Sequence, residues 1–254
     1  MIIDAHAHLV FENLDVDRIV ANMQKDKIEK IVSIGTNVED CEKTVKLAEK
    51  YKDVYATIGI HPEFADLYEE GDLKIIEELA KHEKVVAIGE IGLDYHYTKE
   101  NVDKQKELFV KQIKLAKKLN LPICVHTRDA KEDTYKILKE YKDYIVVPSV
   151  MHCFCEDGEY AQKFLDLGFY ISFAGNATFK KYDRSFIKDI PIDKILVETD
   201  SPFLTPEPYR GRSNEPANTH LTAEKIACEY EMDDEKFKNI TVENTYRVYK
   251  KMKR

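Results

Sequence analysis

The feature that most constrains this chain is a regular alternation of short apolar, β-branched segments with longer charged segments. The eight strand candidates are MIIDAHAHL, KIVSIGT, VYATIGIHP, VVAIGEIGLDY, PICVHTRDA, YIVVPSVMHCF, FYISFAG and ILVETDSPF. The clearest helix candidates are VEDCEKTVKLAEKY, NVDKQKELFVKQIKLAKKLN and KEDTYKILKEYKD. In the longest, four residues are spaced to share one face of a half-buried helix: Leu108, Gln112, Leu115 and Leu119. A strand followed by a helix, repeated about eight times, predicts an α/β fold of the (β/α)8 TIM-barrel type.

The main alternative fold is an open, doubly wound sheet. Its dinucleotide-binding form would need a glycine-rich turn after the first strand, and DAHAHLVFEN contains no glycine. We find no low-complexity tract or Gly/Ser linker, and 254 residues with 43% hydrophobic content suffice for one large core. The sequence therefore predicts a single domain spanning residues 1–254.

Charge and cysteine content narrow the class of protein. A formal net charge of −8 argues against a broad basic surface for duplex DNA, although it leaves room for a local anion site. The five cysteines are an odd number in a chain of ordinary size, which favours reduced thiols. No leader-like segment or membrane-length apolar run is evident, so we expect a cytoplasmic protein with no membrane association and no obligate protein partner.

Two histidines end the first strand candidate. Successive side chains of a strand point to opposite faces, so Asp4, His6 and His8 would share one face and the two imidazoles could converge on one ion. The other interpretation is a core histidine that only forms hydrogen bonds. Asp4, on the same face, is predicted to orient a ligand histidine.

Further histidines and acids, and one arginine, stand at the ends of the other strand candidates. They are His61, Glu90, Asp94, His126, Arg128, His152 and Asp200. In a (β/α)8 barrel, chemistry collects at the carboxyl ends of the strands, so these side chains would meet at one rim. His82 and His220 are interpreted as surface residues, whereas His96 could face the site or the solvent.

The number of donors points to more than one metal ion. Four histidines and two carboxylates exceed the four ligands of a tetrahedral zinc site, whereas two cations bridged by a carboxylate can activate water and stabilise a leaving oxygen. Imidazole and carboxylate groups bind several divalent metals, so the donor types do not identify the ion. The prediction is two ions of zinc, manganese or magnesium.

The motifs DAHAHL, GIHP, GEIGLDY, LPICVHTRDA, HCF and ETDSPFLTPEPYRGRSNEP resemble, in this order, the TatD family of metal-dependent hydrolases and deoxyribonucleases. The resemblance runs from the first residues through Pro216 and implies a TIM barrel of the amidohydrolase superfamily. It also implies that His6, His8 and Asp200 bind one metal, that His126 and His152 bind the second, and that Glu90 bridges the two.

The mechanism that we then expect is hydrolysis of a phosphodiester, with single-stranded DNA or DNA ends as substrate. Asp200 would take up a proton from the attacking water, and Glu90 would hold the metal pair together. His61 and Arg128 would contact the phosphate, although Arg128 could instead pair with Asp129.

Several features are left open by the sequence. Arg210 and Arg212 fit either a phosphate site or an ordinary rigid loop. After HCF this chain has Cys155 and Glu156 where the family usually carries a small residue and a glycine, and an acid there could alter the approach of substrate. Strand alternation would turn Cys153 away from His152, so Cys153 is predicted to pack in the core, whereas the role of Cys155 is undetermined.

Three other functions remain as alternatives. One is hydrolysis of a small phosphoester, and another is hydrolysis of a carbon–nitrogen bond. Binuclear enzymes of the latter kind typically bridge their metals with a modified lysine, whereas this strand end offers Glu90 and the nearest lysine, Lys84, precedes the strand. The third is a noncatalytic metal-binding protein. The final segment, FKNITVENTYRVYKKMKR, is predicted to form a helix that packs against the barrel.

Overall fold

The computed structural model describes residues 1–11, 14–96 and 98–254. Its strands are β1 (Ile2–Ala7), β2 (Ile28–Gly35), β3 (Val54–Ile58), β4 (Val85–Asp94), β5 (Ile123–Arg128), β6 (Ser149–Met151), β7 (Phe169–Phe173) and β8 (Ile195–Val197). Its helices are α1 (Val16–Asn22), α2 (Val38–Lys50), α3 (Glu70–Leu79), α4 (Val102–Leu119), α5 (Lys131–Glu140), α6 (Gly158–Asp166), α7 (Thr219–Glu229) and α8 (Asp234–Val248).

The eight strands form one parallel sheet in which neighbours follow chain order. The sheet nearly closes on itself through a parallel bridge between Ala7 and Ser201, just beyond β8. Asp200 N donates to His6 O at 2.9 Å, and His8 N donates to Ser201 O at 2.8 Å. The predicted (β/α)8 TIM barrel is confirmed.

The helical layer departs from strict alternation in one place. The connection from β7 to β8 contains 3-10 turns at Gly175–Thr178, Ile187–Asp189 and Ile192–Lys194 rather than an α-helix. Two helices, α7 and α8, instead follow β8. Among the described residues, no helix combines the length and the hydropathy needed to cross a membrane.

The last helix closes one end of the barrel. Val248, Tyr249 and Met252 are buried in one cluster with inward-facing strand residues such as Tyr55 and Val86. Lys253 N donates to Tyr55 Oη at 2.9 Å, and Tyr55 lies at the amino end of β3. The predicted packing of the C-terminal helix against the barrel is therefore confirmed, and the opposite, carboxyl end of the strands stays open for a site.

Candidate metal centre

Glu90 lies at the centre of the polar cluster at this carboxyl end. Glycines flank it in β4 because the neighbouring strand β5 approaches closely. A Cβ on Gly89 would lie 2.5 Å from Cys124 Cβ, and one on Gly92, which has φ of +146°, would lie 2.0 Å from His126 O. Only glycine fits such contacts, so the GEIG sequence lets β4 press against β5 and aim the buried Glu90 carboxylate into the barrel mouth.

The first group of donors lies on the Oε2 side of Glu90. His6 Nε2 and His8 Nε2 are 3.3 Å apart, and Glu90 Oε2 lies 3.5 Å and 3.6 Å from them. Asp200 Oδ1 lies 3.6 Å from His6 Nε2 and 3.2 Å from His8 Nε2. Four donors around a zinc-sized cation, each about 2.0 to 2.1 Å from it, are spaced by about 3.3 to 3.4 Å. The residues present therefore fit a divalent cation.

The second group lies on the Oε1 side of the same carboxylate. His126 Nδ1 is 2.8 Å and His152 Nε2 is 2.9 Å from Glu90 Oε1, and the two nitrogens are 3.4 Å apart. His61 Nε2 lies 3.5 Å from the same oxygen, so His61 joins this group as well as facing the mouth. A second cation beside this oxygen would find the imidazoles of His126 and His152, while His61 stands with Glu90 and His126 on the same side.

Two buried carboxylates contact the far ring nitrogens of the histidines in the second group, and neither role was predicted from the sequence. Asp94 Oδ2 lies 2.9 Å from His126 Nε2, and Glu198 Oε1 lies 3.0 Å from His152 Nδ1. Glu198 also accepts hydrogen bonds from Cys153 N at 2.9 Å and from Ser172 Oγ at 2.5 Å. A carboxylate on the far nitrogen fixes the ring and makes the near nitrogen a stronger donor to a metal. The GLDY and VETD motifs contained this signal, since each places an acid near a predicted ligand.

Asp4 performs a different task from the one predicted. It accepts a hydrogen bond from His6 N rather than contacting the imidazole. Its two oxygens also accept from Thr199 N at 2.9 Å and Thr199 Oγ1 at 2.5 Å, next to Asp200. Burial raises the pKa of Asp4 to about 8, although these hydrogen bonds oppose the rise. Asp4 thus joins the backbone of β1 to the loop that carries Asp200.

Two glutamines on one face of α4 fix the backbone at the ends of β3 and β4. Gln112 Oε1 accepts from Ile60 N at 2.8 Å while Nε2 donates to Ile60 O at 2.9 Å. Gln105 makes the same pair of bonds with Asp94 N and Asp94 O, at 2.9 and 2.8 Å. Each amide pairs with both the backbone N–H and the backbone C=O of one residue, which holds His61 and Asp94 in place. Leu108 and Leu115 are buried on the same helix, as the helical spacing predicts.

The electrostatics of the cluster favour ionised acids. Burial would raise the pKa of Glu90, but the surrounding imidazoles of His152, His61 and His126 hold it well below its usual range. Burial would also raise the pKa of Asp200, but the hydrogen bond with His8 and the nearby imidazoles of His152 and His6 together lower it. Burial lowers the pKa of His126, but its hydrogen bonds to the acceptor carboxylates of Asp94 and Glu90 raise it to about 8. The site therefore concentrates negative charge opposite basic nitrogens.

Of the two predicted phosphate contacts, His61 lies beside Glu90, whereas Arg128 is farther out. Arg128 is exposed at the end of β5. Asp129, offered above as an alternative partner for Arg128, lies 3.0 Å from His96 Nδ1, so His96 points along the rim. Arg210 and Arg212 are exposed in the loop after β8.

The prediction for Cys153 assumed that the sixth strand extends through this residue, but the strand ends before it. β6 ends at Met151, and Cys153 has a left-handed φ of 45°, so strand alternation does not govern its direction. Its half-buried thiol lies 3.8 Å from Asn176 Nδ2, which donates to Cys155 Sγ at 2.8 Å. Glu156 is half-buried with Oε2 3.9 Å from Lys131 Nζ.

The two histidines interpreted as surface residues are both half-buried. His82 follows α3 in a turn, with Nε2 3.2 Å from Glu49 Oε1. His220 belongs to the first turn of α7, where Nε2 lies 2.9 Å from Asp26 O. Each histidine lies in a polar stretch of sequence, which suggested exposure, but it packs against a residue from a distant part of the chain.

Comparison with known proteins gives the same family as the motifs. A family model described as TatD related DNase matches residues 3–250. The uncharacterized metal-dependent hydrolase YabD of Bacillus subtilis (strain 168) is 45% identical over 254 residues, covering 98% of this chain and 99% of the relative. The uncharacterized metal-dependent hydrolase YcfH of Escherichia coli (strain K12) is 39% identical over 256 residues, covering 98% and 95%.

A solved structure agrees with this family. The crystal structure of YJJV, a TatD homolog from Escherichia coli K12, superposes with a TM-score of 0.92 at 26% identity, and 98% of each chain is covered. Both the sequence motifs and the barrel with its histidine-rich mouth are thus accounted for by one family. The chain belongs to the TatD-related DNase family of metal-dependent hydrolases.

Proposed function

We propose that residues 1–254 form one hydrolase domain that cleaves phosphodiester bonds of single-stranded DNA or DNA ends with two divalent cations. One observation carries the proposal: the two oxygens of Glu90 face two different groups of imidazoles, as a bridging carboxylate requires. His6, His8 and Asp200 would hold one cation, and His126 and His152 the other. Zinc, manganese and magnesium are the candidate metals.

When bound, such a pair of cations supplies an activated water and stabilises the leaving oxygen of the diester. Asp200 is ionised near neutral pH because its pKa is held low, so its carboxylate is able to take up a proton from the water. Asp200 Oδ1 faces the imidazoles of His6 and His8, which leaves Oδ2 as the proton acceptor. Asp94 and Glu198 keep the rings of His126 and His152 oriented throughout.

The substrate would be held by groups around the mouth. His61 and Arg128 are proposed to contact the phosphate, since one stands beside Glu90 and the other ends the strand that carries His126. A guanidinium can hold two phosphate oxygens at once. The exposed arginines and two cations offset the acidic net charge locally, which favours single strands or chain ends over long duplex.

The placement of Lys84 supports a phosphodiester over a carbon–nitrogen bond. Its Nζ donates to the carbonyls of Tyr51, Lys52 and Val54 before β4 begins, at the amino end of the barrel and away from Glu90. A lysine bridging two metals would have to lie at the other end. The expected cytoplasmic location stays a prediction from the sequence.

The test is degradation of 3′-labelled and 5′-labelled single-stranded oligonucleotides by metal-stripped protein after Mg²⁺, Mn²⁺ or Zn²⁺ is restored. Glu90→Ala is the variant, and Glu78→Ala, on the exposed surface of α3, is the matched control. We expect metal-dependent cleavage by the wild type and Glu78→Ala that is lost in Glu90→Ala. Wild-type protein that binds metal yet leaves every strand intact contradicts the proposal and moves the search to small phosphoesters and amides.

A further inference from the structure

Two phenyl rings border the first group of donors. The ring of Phe11 is stacked on that of His8, with centroids 5.0 Å apart and planes 7° apart. The ring of Phe203 meets both edge-on, at 6.1 Å from His8 and 5.7 Å from Phe11. These two phenylalanines, the aromatic ledge, therefore touch an imidazole whose Nε2 lies 3.2 Å from Asp200 Oδ1.

The backbone that carries Phe203 is fixed although its ring is exposed. Phe203 N donates to Asp200 O at 2.9 Å. The fully buried Asn214 donates through Nδ2 to Phe203 O at 2.8 Å and to Thr199 O at 2.9 Å. The Phe203 side chain nevertheless remains 50% exposed. A large apolar ring held in water on a rigid loop beside a reaction centre is typical of a ligand contact.

The same loop carries positive charge. Arg210 stacks its guanidinium on the Phe179 ring, 4.3 Å from the centroid, and Arg212 lies 5.4 Å from the centroid of Tyr209. Stacking on a ring holds a guanidinium in place beside the mouth. Aromatic faces interleaved with cations are the combination that single-stranded nucleic acids bind, because bases stack while phosphates pair with cations.

We infer that the aromatic ledge is a nucleobase subsite: Phe203, supported by Phe11, stacks on the base of the nucleotide whose phosphate lies at the Glu90 cluster. This inference rests on the proposed function. A base is separated from its own phosphate by one sugar, so a ring directly beside His8 and Asp200 is where that base would lie. Every base has a π-face, so the subsite would accept all four bases.

The experiment compares two single strands of equal length, one of ordinary deoxynucleotides and one of abasic tetrahydrofuran residues with the same phosphodiesters. The variants are Phe203→Ala and the aromatic replacement Phe203→Trp. Tyr144→Ala is the matched control, because Tyr144 is similarly exposed, at 46%, but lies between α5 and β6 at the amino end of the barrel. The readouts are KM and kcat with restored metal, and strand binding by fluorescence anisotropy with metal-free protein.

For Phe203→Ala we expect KM and the dissociation constant of the ordinary strand to rise about 10-fold or more, since stacking on one side chain contributes this much per base. The abasic strand should not respond, and Phe203→Trp and Tyr144→Ala should behave as the wild type does. If the wild type cleaves both strands and Phe203→Ala weakens both equally or neither, the subsite is refuted while the proposed function stands. If the wild type cleaves neither strand, both fail.

Discussion

At Glu198, a substitution can remove the negative charge of a buried side chain while its size and hydrogen bonds are kept. Its carboxylate is 1% exposed, and Oε1 accepts from His152 Nδ1 and Cys153 N while Oε2 accepts from Ser172 Oγ. In Glu198→Gln the amide oxygen can keep both Oε1 contacts. The amide nitrogen then faces the Ser172 hydroxyl, which can rotate to accept. The substitution therefore removes the negative charge and leaves the hydrogen bonds in place.

The loss of that charge should weaken metal binding. Burial lowers the pKa of His152, but Glu90 and Glu198 outweigh burial and raise it well above its ordinary value. Without Glu198 the imidazole becomes a poorer donor. Replacing such a partner of a ligand histidine typically costs 10- to 100-fold in metal affinity, which is about 1.4 to 2.7 kcal/mol. Glu198→Ala removes both acceptor oxygens and all three hydrogen bonds, and it should also destabilise the metal-free fold, by about 3 to 5 kcal/mol.

The assay is calorimetric titration of Mn²⁺ or Zn²⁺ into metal-stripped protein, together with urea unfolding of the same samples. Ser172→Ala is the control, since it removes one donor and leaves the charge of Glu198. We expect Glu198→Gln to bind the second cation more weakly while it unfolds at nearly the wild-type urea concentration. Wild-type metal affinity in Glu198→Gln would refute the reasoning that this acid strengthens His152 as a ligand.

Three further predictions concern stability. Gly92→Ala would place a Cβ 2.0 Å from His126 O at a residue with a φ of +146°. We therefore expect the free energy of unfolding in urea to fall by about 3 kcal/mol or more. A fall of less than about 0.5 kcal/mol would contradict the close contact between β4 and β5. Burial lowers the pKa of His220 below its ordinary value, so the unfolded chain binds more protons and stability falls as pH drops below about 6.5. His220→Gln, whose amide can still donate to Asp26 O, should lose less stability than the wild type between pH 7.5 and 5.5, and equal losses would contradict this. Restored metal at 100 times its dissociation constant should stabilise the fold by about 2.7 kcal/mol in thermal unfolding, whereas Glu90→Ala should respond far less; an equal response would place the ions elsewhere.

The sequence predicted the barrel because alternating segments of strand and helix carry a strong periodic signal. It also predicted that histidines and acids would meet at one rim, since the carboxyl ends of parallel strands share one edge. The convergence of His6 Nε2 and His8 Nε2 to 3.3 Å follows from that arrangement. The assignment of these side chains as metal ligands stays a prediction.

Local patterns failed where contacts come from distant parts of the chain. The HCF segment looks like a strand by composition, yet β6 ends at Met151 and the chain turns at Cys153 so that its amide can reach Glu198, 45 residues away. In the sequence, Gln112 is a polar residue on the otherwise apolar face of a helix. Its hydrogen bonds with the backbone of Ile60 form only when the barrel folds. Such partners are fixed by tertiary packing rather than by spacing.

The most direct test of a metal pair bridged by Glu90 is the anomalous scattering of crystals of the wild-type protein grown with Mn²⁺. We expect two peaks per chain on opposite sides of the Glu90 carboxylate, about 3.5 to 4 Å apart. One peak should lie among His6, His8 and Asp200, and the other beside His126 and His152. A single peak, or two peaks that do not share Glu90, would contradict the bridged pair on which the proposed hydrolysis depends.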